Sequence, residues 1–381
     1  MLELVLLFPV VGGSVYNVLT ALAAIKFKWL AGRRRDLAMD WPPVTILKPI
    51  YGLEKKLEAN LRSACSQDYP TYQVVLSVQR RDDPAIPLLR EIEREYGPER
   101  VSLVIGDDPP KVNGKVQNLE IGLRAALHDT LVISDSDVLL RNDYLKTIVA
   151  PLADRNVGCV CTLYRAIDAS TWYERLELLT LNADFTANLI FAQVTGASGL
   201  CLGASTALRR STLDRIGGLS ALADYMVEDY EMGRRIRAAG LKVAILPYFV
   251  DTRVNLVDWS TWWSHQVYWD QNTKAARPYG FAATVLTRSV PFALAFAAVR
   301  LFDPLGLWVL AAATAIRLVG SGVVLGHVLR DREGLASLAL LPFRDITGLA
   351  SWLFALSQRS FIWRGERFGL TRGGRIVPRE V

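Results

Sequence analysis

The stretch Leu131-Val-Ile-Ser-Asp135-Ser-Asp137 decides how this chain is read. An apolar run of strand type ends in two aspartates spaced i, i+2. In open α/β sheets, ligands gather at the carboxyl ends of strands. Two carboxylates at such an end make a hard-oxygen site for Mg²⁺ or Mn²⁺, ions that bind through one or two carboxylates together with substrate phosphates. Two solvated acids in a turn would show the same letters, so the neighbouring sequence has to decide.

Working outward, residues 41–255 carry strand-like runs at 44–47, 73–78, 101–105, 130–134 and 157–162. Helix-like stretches alternate with them at 53–66, 84–96, 115–127 and 142–153. Short apolar strands alternating with helical patterns predict a largely parallel α/β sheet.

Polar motifs follow several of these strands. Lys48-Pro-Ile-Tyr-Gly52 follows the first, and its Pro/Gly turn lets backbone approach a ligand. Asp82-Asp83-Pro follows the second. A carboxylate there can accept from a nucleobase N–H or a ribose hydroxyl, and Asp83 before Pro84 is equally an N-cap pattern. Asn113-Gly-Lys115 opens a helix, an arrangement that suits an anion. Glu228-Asp229-Tyr-Glu231 leads into a helix over 231–239. Those acids complement a helix dipole, and one aimed at a substrate could act as a general base. Residues 259–274 hold four tryptophans within eleven positions, together with His265 and Lys274, and read as an interfacial helix.

The composition locates the rest of the molecule. The chain has 381 residues, 51% hydrophobic and 22% charged, with a net charge of +6. Its mean hydropathy of +0.20 is high for a soluble enzyme. A disordered chain is excluded by the apolar content, and a disulfide scaffold by having only four cysteines. Cys65 and Cys201 read as isolated, and Cys159-x-Cys161 as one face of a strand. With no histidine near them, no zinc site is expected.

Residues 4–25 carry no charge, a run long enough to cross a hydrocarbon core. Lys26, Lys28, Arg33, Arg34 and Arg35 follow it, which predicts an anchor with an outer N-terminus and a cytoplasmic C-terminal flank. A second apolar block reads as segments near 283–303, 305–328 and 335–357, interrupted by Arg288, Arg300, Arg317, Arg344 and Asp345. The Arg344–Asp345 pair predicts that the last segment is re-entrant or interfacial, or lines a polar site. Residues 359–381 add six arginines against two glutamates. These membrane-flanking segments account for the whole basic surplus, so no nucleic-acid partner is expected and an anionic leaflet suffices.

The pattern resembles the membrane-bound glycosyltransferases of families 2 and 21, above all the ceramide glucosyltransferases and bacterial relatives that include hopanoid glycosyltransferases. The resemblance is carried by Lys48-Pro-Ile-Tyr-Gly52, Gln79-Arg-Arg-Asp-Asp-Pro-Ala-Ile86, Asn113-Gly-Lys-Val-Gln-Asn118 and Ser134-Asp-Ser-Asp137. It continues through Gly203-Ala-Ser-Thr-Ala-Leu-Arg-Arg210, Gly217-Gly218, Glu228-Asp-Tyr230 and Trp363-Arg-Gly-Glu-Arg367.

It implies a GT-A type, Rossmann-like mixed sheet domain with one N-terminal and two to three C-terminal transmembrane or interfacial helices. The implied division is an anchor over 1–30, a cytoplasmic catalytic domain over 41–258, an interfacial helix over 259–280, membrane helices over 281–357 and a basic cytoplasmic tail over 358–381. A bacterial-type inner membrane is the implied location.

The resemblance also implies roles for residues. Asp82 or Asp83 meets the uridine of a UDP-sugar, with Lys48, Pro49, Lys115 and Asp135 nearby. Asp135 and Asp137 hold a divalent metal, Mg²⁺ or Mn²⁺. Asp229 is the general base of an inverting transfer to a membrane lipid hydroxyl. Glu228, Gly203 and Trp172 lie near the acceptor. The apolar stretch over 172–191 reads either as a bilayer-facing floor for the acceptor or as a core helix.

The family frame Q/R-x-x-R-W falls on His265-Gln-Val-Tyr-Trp269, where His265 and Tyr268 replace the usual residues and Trp269 is kept. Lys274 or Arg277 could then supply the missing positive charge. The resemblance implies a glucose or N-acetylglucosamine type donor, and Glu228-Asp-Tyr230 looks more like the ceramide group, which favours a ceramide-like acceptor. A hopanoid acceptor is the alternative that Leu-Tyr-Arg165 and Ala276-Arg-Pro-Tyr-Gly280 resemble. A polysaccharide synthase is a further alternative.

Overall fold

The computed structural model describes residues 1–31, 40–109, 111–196, 199–358, 360–363, 366–371 and 374–378. Arg33, Arg34 and Arg35 and the Arg364–Gly365 pair of the tail motif lie outside them. The strands of the main sheet are β1 (Val44–Ile50), β2 (Tyr72–Val78), β3 (Val101–Ile105), β4 (Thr130–Ser134), β5 (Val138–Leu139), β6 (Val157–Ile167), β7 (Ser205–Arg209) and β8 (Lys242–Arg253). Their spatial order is β3-β2-β1-β4-β7-β6-β8-β5.

The sheet is mixed. β1 to β4 are mutually parallel, as the alternation of strands and helices predicts. β7 then runs antiparallel to both β4 and β6, while β8 returns parallel to β6. The strand pattern in the sequence missed β5, β7 and β8. β7 is five residues of mixed polarity, Ser-Thr-Ala-Leu-Arg, and β8 is interrupted by Pro247. That proline sits at a register shift, where Leu246 faces Thr162 and Phe249 faces Leu163. A bulge is where a strand tolerates a residue that cannot donate to the ladder.

This topology places the site. The carboxyl ends of β1, β2 and β4 share one edge of the sheet. Because β7 is antiparallel to β4, with Ser134 opposite Ser205, the segment leading into β7 arrives at the same edge. Asp135 then donates its main-chain N–H to the Ala204 carbonyl at 3.1 Å. The short β5 pairs with the end of β8, Val138 opposite Thr252, and so brings Thr252 beside Asp137.

Cys201 is not isolated. The return of β7 puts its Sγ 3.3 Å from Cys161 and 3.7 Å from Cys159, in the buried core. The three thiols lie within 4.8 Å of one another, a grouping that comes from strand pairing and not from their spacing along the chain.

Among the described residues, three helices are long and apolar enough to cross a membrane: Leu2–Trp29, Pro304–Leu329 and Leu338–Ser357. The expected segment near 283–303 is a broken pair, Pro278–Thr287 and Ser289–Val299, bent by 53° at Arg288, and would make a fourth span if the pair counts as one. The N-terminal helix leaves Leu4, Phe8, Val11, Val15 and Leu22 exposed on the outside. Its inner side packs on the other membrane helices and, through Phe27, edge-on against Phe249 of β8.

Gly13 is where the N-terminal helix meets the break. A Cβ added there would lie 2.8 Å from the Ser289 nitrogen and 3.0 Å from the Thr287 carbonyl carbon. Small residues permit this close crossing of helix backbones. Gly12 has room, since its added Cβ would meet only the Leu286 oxygen, at 3.6 Å. Gly13→Ala is therefore expected to cost about 1–3 kcal/mol through overpacking. Gly12→Ala should be neutral or slightly stabilising. Thermal unfolding of the detergent-solubilised chain checks the contrast, and an equal response of the two variants would contradict the crossing.

Candidate functional site

The Asp135-Ser-Asp137 loop is held from below. Lys48 is fully buried in β1 and donates to the Asp135 carbonyl at 2.7 Å and the Val138 carbonyl at 3.2 Å. Burial pulls its ammonium down to about 8, against the opposing pull of Asp137 and Asp135. Lys48 and Pro49 were expected at the nucleotide. The structure places both inside the buried β1 strand, where Lys48 shapes the loop from beneath it. From the side, Asn60 donates to the Ser136 carbonyl at 3.2 Å.

Above the loop, the carboxylates converge. Lys115 stands in the first turn of the helix Gly114–Leu123, whose N-cap Asn113 accepts from the Val116 N–H. Its Nζ lies 2.6 Å from Asp135 Oδ1 and 3.4 Å from Glu228 Oε1, and donates to the Gly203 carbonyl at 3.2 Å. Burial works against that charge, but Asp135 and Glu228 outweigh it and hold the ammonium above its usual range. Asn113 also donates to Glu228 Oε2 at 3.2 Å.

Asp229, in the first turn of the helix Glu228–Ala238, accepts from the Tyr230 N–H at 2.7 Å. Its carboxyl is pushed up to about 7, first by burial and then by the like charge of Glu228. Gly203 forms the floor between these groups. A Cβ there would meet Asp229 Oδ2 at 3.0 Å and Lys115 Nζ at 3.3 Å, so only glycine leaves the two side chains this close.

Asp137 accepts from the Thr252 hydroxyl at 2.6 Å, and burial together with Asp135 raises its carboxyl. Beside it stands Glu54, two residues beyond the Pro/Gly turn, which the sequence reading did not single out. Burial, and then Asp137 and Asp135, lift Glu54 to about 7. Its Oε2 is buried and has no hydrogen-bond partner among the described residues. Asp135, Asp137 and Glu54 are hard-oxygen side chains of the chemistry that suits Mg²⁺ or Mn²⁺ and share one cavity, although among the described residues only Cys159, Cys161 and Cys201 bring three ligand atoms within 4.8 Å of one another.

All of these acids line one cavity of about 940 Å³. Its wall also takes in Tyr16 of the N-terminal helix, Phe185, His265, Trp269 and Arg277, and Arg288, Arg317 and Arg344 of the membrane-helix block. The helix expected to be interfacial runs over Trp259–Ala276 and is capped by Asp258. In it, Trp269 donates to His265 Nε2 at 2.7 Å, which leaves the imidazole proton on Nδ1, 2.8 Å from Glu177. Burial opposes a charged imidazole, but Glu177 outweighs it and raises His265.

Other expected residues fall elsewhere. Asp83 accepts from the main-chain N–H of Gly52 and of Ala85, both at 2.9 Å, so it ties two turns together. Asp82 is exposed and paired with Arg80. Neither lines the cavity. Lys274 donates to the carbonyls of Ala355, Leu356 and Gln358 at the end of the last membrane helix. It therefore caps a helix and does not face the cavity, so of these two candidates only Arg277 lines it. Trp172 stacks on Trp259 at 5.0 Å in a half-exposed aromatic patch outside the cavity, and Phe185 and Leu189 of the same stretch line it instead.

Comparisons with known proteins place this geometry. Residues 8–376 match the model of glycosyl transferase family 21. Ceramide glucosyltransferase 3 of Caenorhabditis elegans is 24% identical over 356 residues, covering 88% of this chain and 74% of the relative. Ceramide glucosyltransferase 1 of the same organism is 22% identical, over 88% and 73%. A solved mannosyltransferase from Pyrobaculum calidifontis, in complex with GDP-Man and Mn²⁺, superposes with a TM-score of 0.54 at 19% identity, over 94% of this chain and 99% of its own. The mixed sheet with its flanking helices is thus a GT-A glycosyltransferase fold, and the chain belongs to glycosyl transferase family 21 as a hexosyltransferase.

Proposed function

We propose that the chain transfers a sugar of the glucose or N-acetylglucosamine type from a UDP-sugar to a membrane lipid hydroxyl, with inversion, a ceramide-like lipid being the favoured acceptor. The observation that carries this reading is Asp229. Its carboxyl is raised to about 7. It faces a cavity that the Asp135–Asp137 loop shares with the membrane helices. The names of the two nematode relatives support the lipid acceptor and the glucosyl donor.

The chemistry follows from the groups in place. Asp229 accepts the proton of the lipid hydroxyl as that oxygen forms its bond to the anomeric carbon. The bond from that carbon to the UDP oxygen breaks, and UDP leaves with the electron pair. Asp135 and Asp137, with Glu54 beside them, would hold a divalent ion, which when bound supplies positive charge for the departing diphosphate. Lys115 adds a fixed positive charge against Asp135, and Arg277 lines the same cavity. The turn of Asp82 and Asp83, at the same sheet edge, is the proposed uridine contact. We place the catalytic domain over 41–258 and the tail over 358–381 on the cytoplasmic side of a bacterial-type inner membrane. This rests on Lys26 and Lys28 following the first apolar run and on the basic tail.

Asp229→Asn should lower turnover by about 10²–10⁴-fold, the usual share of a general base. UDP-sugar binding, read by calorimetry, should stay intact, and retained turnover would remove Asp229 from that role. The base works deprotonated, so activity should rise with pH through about 7. Glu228→Gln removes the like charge and should move that acid limb to lower pH.

Chelation should abolish transfer, and added Mn²⁺ or Mg²⁺ should restore it. Asp137→Asn should weaken Mn²⁺ binding measured by electron paramagnetic resonance on the free protein. Mass spectrometry of lipids from cells with and without the protein identifies donor and acceptor together: a hexosyl-ceramide supports the favoured acceptor, and an aminosugar-hopanoid the alternative.

A further inference from the structure

The membrane-helix side of the cavity is polar in a particular way. Arg317 donates to Asp345 at 2.9 and 3.0 Å and pairs with Asp184. Arg344 pairs with the same two aspartates and donates from Nε to the Thr180 hydroxyl at 3.1 Å. These two arginines are therefore matched by two carboxylates. Arg288 differs. It stands at the 53° break between Pro278–Thr287 and Ser289–Val299. Its Nη2 lies 4.0 Å from Asp270 Oδ1, while Asp270 Oδ2 accepts from Ser351 at 2.7 Å. Its Nε is buried with no hydrogen-bond partner among the described residues. Gly348 on the last helix makes room for the guanidinium, since a Cβ there would meet Arg288 Nη1 at 2.7 Å.

A second orphan lines the same cavity. Asn272 Oδ1, on the interfacial helix, is buried and accepts nothing among the described residues. Among the described residues on this side of the cavity, Arg288 Nε is thus a donor and Asn272 Oδ1 an acceptor with no hydrogen-bond partner. Irregular backbone and charge at membrane depth are tolerated where they line a cavity, and intramembrane ionisable groups there mark substrate sites.

Resting on the lipid-transfer reading above, we propose that Arg288 and Asn272 bind the polar head of the acceptor, and that this head is uncharged and carries both an acceptor and a donor, as a hydroxyl or secondary amide does. Arg288, Arg317 and Arg344 are balanced by Asp184, Asp270 and Asp345. A phosphate head beside these six groups would bring negative charge that the set does not offset, and a fully ionised phosphate brings no hydrogen for Asn272 Oδ1. A neutral amide or polyol satisfies both orphans and leaves the balance unchanged.

The test uses the full chain in nanodiscs, with two probes: a short-chain N-acyl amino diol and a short-chain isoprenyl monophosphate. Binding is read by tryptophan fluorescence, apart from turnover. The N-acyl probe should bind and the phosphate should not compete with it. Asn272→Ala and Arg288→Gln should each weaken the N-acyl probe by about tenfold, the worth of one buried hydrogen bond, with UDP-sugar affinity unchanged as the check on folding. Tighter binding of the phosphate overturns the proposal. So does unchanged N-acyl affinity in Asn272→Ala, a variant that leaves the ion pairs untouched. If the probe binds and both variants weaken it while no sugar is transferred, the transfer reading fails and the site stands.

Discussion

The ammonium of Lys115 is the contact on which the site depends. It reaches Asp135 at the end of β4, Glu228 at the start of a helix over a hundred residues later, and the carbonyl of Gly203 before β7. No two of these are neighbours in sequence. The parallel run β1–β4 and the antiparallel return of β7 put them at one sheet edge, and the charge then holds them against mutual repulsion. Without it, Asp135, Asp137, Glu228 and Asp229 would be acids sharing one partly buried cavity, a costly arrangement unless most were protonated. Lys115 removes that cost for Asp135 and Glu228, while burial and the adjacent Glu228 still leave Asp229 proton-hungry.

Much of this was legible in the amino-acid order because it depends on short-range rules. An apolar strand ending in Asp-x-Asp is visible at period two, and a helix opening on Asn-Gly-Lys announces its own cap. Glu228 stands beside Asp229 in the amino-acid order and adds like charge, although burial is the larger cause of the raised carboxyl. What escaped the sequence depends on long closures. Cys201 joins Cys159 and Cys161 only because β7 folds back beside β6. Glu54 is one acid in a polar turn until the Asp135 loop is brought against it. Lys274 has the look of a spare phosphate-binding cation, yet the end of the last membrane helix had open carbonyls that needed a donor. Lys48 and Asp83 bear polar letters in motifs that suggest a ligand, and what those letters do not display is that both also hold turns in shape.

The π-helical turn Thr180–Phe185 is a related case. Read as letters, residues 172–191 form one apolar stretch. The wide turn inserted within it shifts the helical phase, so Asp184 meets Arg317 and Arg344. Such turns are often found at functional sites, and no periodicity rule exposes them in advance.

The arginines that made the C-terminal segments look like poor membrane spans now have a physical reason. A lone guanidinium among apolar helices is expensive, but a balanced set facing an internal cavity is much less so. Asp184 belongs to the segment between the sheet strands β6 and β7, whereas Arg317 and Arg344 belong to the membrane helices. Their pairing therefore joins the catalytic domain to the membrane block with buried charge, and Phe27 against Phe249 adds an apolar contact across the same junction. The proposed transfer from a water-soluble donor to a lipid would have to bring two solvents to one carboxylate. A single cavity lined at once by Asp135, Asp229 and Arg288 at the helix break opens both surroundings onto one space, and the Asp184 ion pairs tie the membrane helices to the segment between β6 and β7.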